Sequence, residues 1–87
     1  MYIAKVVGNV VATKKNDTLM GSKLMIVQPV NSALKKEGPE EVAADFVGAG
    51  IGEYVLVGSG SYVRVEEERR RATIDLAIIG IIDDVVV

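Results

Sequence analysis

From Leu76 to Ile82 the chain is apolar at every position, and the same unbroken character returns at Leu24 to Val27, Val55 to Val57 and the terminal Val85 to Val87. Val and Ile dominate these runs, and β-branched side chains suit the pleated surface of a strand better than the crowded turn of a helix. A strand sends alternate side chains to opposite faces, so one with a wet face alternates apolar with polar. These strands do not alternate. Both their faces seek to leave water, yet 87 residues build one small core that accepts a single row. At about 25 cal/mol per Å² of apolar area, covering a few outward Ile and Val side chains is worth several kcal/mol per subunit. The second row is therefore expected to meet other copies of the chain in a symmetric assembly. The alternative, in which loops of the same chain cover it, has little polypeptide to draw on.

Turn-forming residues cut the chain into strand-length pieces. Strand-favouring stretches run from Met1 to Lys14, Lys23 to Val30, Val42 to Leu56 and Ile78 to Val87. Asn16-Asp17 ends the first, and Pro29, which cannot donate to a ladder, ends the second or sets it at a sheet edge. Ser32 to Glu41 is polar and reads as a surface loop or hairpin end. The third stretch divides at Gly48-Ala49-Gly50-Ile51-Gly52 into a strand over Val42 to Val47 and another starting at Glu53-Tyr54. Gly58-Ser59-Gly60-Ser61 reads as a further turn. Thr73 is placed to cap a short helix through Ile74, Asp75, Leu76 and Ala77, with the Asp75 carboxylate favourably set in its first turn. The expected fold is all-β: a single domain over residues 1–87, a small five-stranded OB-like β-barrel with one short helix.

Composition narrows the function. There is no cysteine and no histidine, so disulfides, thiolate sites, imidazole metal ligands and near-neutral proton shuttles are all excluded. A net charge of -2 gives no broad basic field to gather nucleic acid or anionic lipid. No apolar run approaches the roughly 20 residues that cross a bilayer, and the first residues do not read as a secretory leader, so a cytoplasmic location is expected. An OB-like barrel often serves as a binding module for an oligonucleotide or small ligand, and that is the rival reading. The available aromatics are Tyr2, Phe46, Tyr54 and Tyr62, of which two or three belong in the core or at subunit contacts, leaving no stacking platform.

The glycines from Gly48 to Gly52 differ from a phosphate cradle because they lead into a Val-rich strand, where a phosphate loop leads into a helix. A tight β corner requiring positive φ or close backbone approach explains them, and Val in place of Gly50 is expected to disrupt it, because a β-branched residue tolerates positive φ poorly. Asp45 and Glu53 flank this corner, but no nucleophile or metal set accompanies them as an acid/base pair. They are expected to accept hydrogen bonds from loop amides or to pair with a cation such as Arg64. Glu66 to Arg71 sets three acids beside three bases and reads as a solvated, self-satisfying loop, or as an edge contact with a neighbouring protein. No catalysis, cofactor or metal is expected.

The segment from Asp45 to Arg64, Asp-Phe-Val-Gly-Ala-Gly-Ile-Gly-Glu-Tyr-Val-Leu-Val-Gly-Ser-Gly-Ser-Tyr-Val-Arg, resembles the signature of the EutN/CcmL family of bacterial microcompartment vertex proteins. Ile3, Val6, Gly8 and Val10 near the start, and Ile74, Asp75, Ala77, Ile79, Gly80, Ile81 and Asp83 near the end, extend the likeness over most of the chain. The resemblance implies a pentamer that caps the corners of a polyhedral shell, in a carboxysome or a metabolosome, alongside hexameric shell proteins. It also implies that Gly48, Ala49, Gly50, Gly52, Glu53, Gly60, Ser61, Tyr62, Arg64 and Asp75 lie at subunit contacts or near the axial pore. Tyr62 and Val63 stand where the family usually has small residues, so a loop facing the axis or a neighbouring subunit would narrow an opening or alter a contact here.

Overall fold

A computed structural model describes residues 1–11, 23–59 and 75–87. The strands are β1 (Tyr2–Val10), β2 (Lys23–Pro29), β3 (Glu41–Asp45), β4 (Tyr54–Ser59) and β5 (Leu76–Ile81). They close into a barrel in the order β1-β2-β3-β5-β4, with β4 pairing back onto β1. Closure leaves no free sheet edge along the ring. Every pairing is antiparallel except β3 with β5, where Ala44 faces Ala77 and Asp45 faces Ile78. Register shifts leave Val7 of β1 extra against β2 and Ile79 of β5 extra against β4, and these mark the bends that a ring of only five strands requires.

The inward row is Ala4, Val6, Met25, Val27, Ala43, Val55, Val57 and Ile78, joined by Ala49 from the loop after β3. Small side chains alternate with larger ones because the bore is narrow: Ala4, Ala43 and Ala49 leave the volume that Met25 and Ile78 fill. Tyr2 and Leu76 pack against this core from partly buried positions. A second, smaller cluster joins the buried Ala44 and Ala77 to Leu24 and Ile79 across β2, β3 and β5. Beyond these clusters apolar side chains remain at the surface: from the continuous run in β5 Ile81 is 40% exposed, and on β3 Val42 is 50% exposed.

Several expected boundaries move. Leu76 and Ala77, assigned above to a short helix, are the first residues of β5, and Asp75 sits in a bend before them. Their partners across the seam, Ala44 and Ser59, supply ladder pairing that a single helical turn lacks. Thr73 and Ile74 lie outside the described residues. The final strand also stops at Ile81, so Val85 to Val87 extend no ladder, and Val86 and Val87 are almost wholly exposed. Asp84 helps divert the chain by accepting the Val85 amide at 2.9 Å through Oδ1. Gly58 and Ser59, read as a turn, are the last residues of β4 and pair with Ala77 and Leu76. The stretches that follow Val11 and Ser59, including the acid-base block from Glu66 to Arg71, are outside the described residues.

Pro29 ends β2, as expected. The β2–β3 connection is a polar, exposed loop held by its own hydrogen bonds. Asn31 Oδ1 accepts the amides of Ala33 and Lys35 at 2.9 and 3.1 Å, and Gln28 Nε2 donates to the Gly38 carbonyl at 3.0 Å.

Candidate functional site

The chain leaves β3 at Asp45 and re-enters the barrel at Tyr54, and the glycine-rich corner between them is fastened at both ends. Asp45 Oδ1 accepts the backbone amides of Val47 and Gly48 at 3.0 and 3.1 Å, the local pairing by which an aspartate turns a chain out of a strand. Glu53 Oε1 accepts the Gly50 amide at 2.6 Å, and the Glu53 amide returns to the Gly50 carbonyl at 3.2 Å. Gly52 donates to the Val6 carbonyl at 2.8 Å and Val6 to the Glu53 carbonyl at 2.9 Å, so the corner is stitched to β1 beside its bulge.

Both flanking carboxylates thus spend oxygens on loop amides, one of the two uses expected of them. Among the described residues the cation at Asp45 is Lys23: its Nζ lies 3.5 Å from Asp45 Oδ2 and donates to the Ala49 carbonyl at 3.0 Å. The Asp45 side chain is 1% exposed, so it is not presented to a substrate. Lys23 escaped the sequence reading because a lysine beginning a strand looks like any solvated charge. Its register opposite Asp45 appears only once β2 and β3 are paired.

The glycines divide by backbone conformation. Gly48 (φ 79°) and Gly52 (φ 95°) occupy the left-handed region that strains any side chain. Gly50 does not, contrary to the expectation of positive φ there; a Cβ at Gly50 would sit 3.3 Å from Glu53 Oε1. Ala49 between them is fully buried and plugs the end of the core. The intervening side chains turn outward: Phe46 is 37% exposed, Val47 39% and Ile51 62%. On adjoining β1, Val7 is 39% exposed. The corner therefore presents apolar side chains on a backbone tied down from within.

Of the other residues that the resemblance singled out, Asp75 is exposed in the bend before β5. Gly60, Ser61, Tyr62 and Arg64 lie outside the described residues. Among the aromatics, Tyr2 packs against the core from a partly buried position, and Lys5 Nζ sits 5.8 Å from the centre of the half-buried Tyr54 ring. The Tyr2 hydroxyl is buried beside Glu41, at a geometry too loose for a well-formed hydrogen bond. Burial first, and the Glu41 charge second, push the Tyr2 pKa up to about 12.

Residues 1–83 match the family model described as "Ethanolamine utilisation protein EutN/carboxysome". The chain is 44% identical over 85 residues to the bacterial microcompartment shell vertex protein GrpN of Rhodospirillum rubrum, covering 98% of this chain and 96% of that one. It is 45% identical over 85 residues to the carboxysome shell vertex protein CcmL of Synechococcus elongatus, covering 98% of this chain and 86% of the relative. The solved structure of the GrpN pentameric microcompartment shell protein from Rhodospirillum rubrum superposes with a TM-score of 0.90 at 42% identity, covering 100% of this chain and 99% of that one.

Proposed function

The chain belongs to the EutN/CcmL family, and we infer from this that it is a structural shell protein of a bacterial microcompartment, forming pentamers at the vertices of the shell. It is not an enzyme, and it works in the cytoplasm as part of that shell. The observation that carries this reading is likeness along the whole chain to proteins named for the same role. The physical reading agrees: a barrel this small leaves Val42, Ile51 and Ile81 facing water, and neighbouring copies are the natural cover.

The corner from Gly48 to Glu53 is a subunit contact, meeting the next copy through Phe46, Val47 and Ile51. Covering about 200 Å² of apolar surface there contributes about 5 kcal/mol before the cost of immobilising a subunit. Asp75, exposed ahead of β5, borders a contact. The outer faces of the pentamer meet hexameric shell proteins. Sixfold tiles alone extend as flat sheets, and fivefold units introduce the curvature that closes them. Co-expression with hexameric shell proteins tests the role: closed polyhedra are expected with this chain, and open sheets or tubes without it. Equal closure in both cases contradicts it.

A further inference from the structure

Lys23 opens β2 directly opposite Asp45, the last residue of β3. Its side chain is 54% exposed, as a solvated lysine would be, yet its ammonium turns toward the corner. There it donates to the Ala49 carbonyl at 3.0 Å and stands 3.5 Å from Asp45 Oδ2. Asp45 is buried to 1%, its Oδ1 is occupied by two loop amides, and its Oδ2 makes no hydrogen bond among the described residues. A carboxylate removed from water needs a countercharge, and Lys23 supplies it. The same ammonium holds the carbonyl of a fully buried residue in the middle of the loop. One cation thus ties the end of β3, the start of β2 and the centre of the corner together. The side chains carried on this tied segment, Phe46, Val47 and Ile51, are the ones that show apolar surface to water.

We propose that Lys23 is a positioning residue for assembly: through Asp45 and Ala49 its ammonium staples the corner into the shape in which Phe46, Val47 and Ile51 meet a neighbouring copy of this chain. This rests on the corner being a subunit contact. Removing the charge leaves Asp45 buried without its countercharge and the Ala49 carbonyl without its donor, and both losses fall on the loop. The core row from Ala4 to Ile78 keeps its packing. A loosened loop must be ordered when subunits meet, so the cost appears in association more than in barrel stability.

The test compares the wild-type chain with Lys23→Met, which keeps the apolar stem, with Lys23→Arg, which keeps the charge, and with Lys35→Met as a control for net charge on an exposed loop. Oligomer mass is followed over a dilution series, and amide exchange is read separately for Val47, Gly48 and Gly50 and for the barrel strands. Lys23→Met is expected to raise the concentration for half-assembly by about tenfold or more and to speed exchange at the corner amides while the strand amides stay protected. Lys23→Arg and Lys35→Met are expected to assemble near the wild-type concentration. Lys23→Met assembling like the wild type, or losing strand and corner protection together, overturns the proposal. If the wild-type chain itself forms no oligomer, the subunit-contact reading falls, and the corner amides still decide whether Lys23 holds the loop.

Discussion

Tyr2 is a single side chain through which pH reaches the fold. Its ring packs against the barrel core, and its raised pKa means that between about pH 10 and about pH 12 the folded chain keeps a proton that the unfolded chain has released. The stability this contributes is complete below the unfolded value of 10.0 and is lost as the pH rises through about 12. Denaturant midpoints measured at about pH 9 and about pH 11.5 are expected to fall further for the wild type than for Tyr2→Phe, which has no phenol to ionise. Equal falls in the two proteins contradict the assignment. Asp45 is a contrasting case: the sequence assigned it loop amides over acid/base work, and its burial and amide contacts make it a device for turning the backbone.

At the scale of elements, the corner between β3 and β4 separates two reasons for having glycine. Gly48 and Gly52 hold left-handed backbone, so Gly48→Ala is expected to cost about 1–2 kcal/mol and to lower the melting temperature by several degrees. Gly50 has ordinary backbone and only the Glu53 carboxylate near it, so Gly50→Ala is expected to cost clearly less. A larger loss at Gly50 than at Gly48, read from thermal melts of both variants, contradicts this account. The glycine spacing announced a corner and the run of residue types located it, but which glycine needs positive φ depends on where Asp45 and Glu53 fasten the loop. The strands were legible where β-branched residues meet a clear breaker, as at Pro29. They were misread where a local signal competed with pairing: Thr73 and Asp75 suggest a helix start, yet Leu76 and Ala77 are claimed by β4 and β3. Local propensity is a weak prior once a closed ring must complete its ladder.

For the molecule as a whole, the most informative feature of the sequence was its excess of apolar strand surface. The barrel buries one row and tucks Ala44 and Ala77 beneath Leu24 and Ile79, yet Val42, Ile51 and Ile81 remain in water. That surplus signals association without giving the number of copies, because hydrophobic burial has no direction and any closed symmetry can satisfy it. The number five enters through the family. Lys23 was invisible for a similar reason, since its role exists only after two strands distant from the corner's centre have come together. Mass measurement of the purified chain under non-denaturing conditions, at micromolar concentration, tests the central claim most directly. A single species of five times the chain mass is the expected result; a stable monomer, or a ring of six, contradicts it.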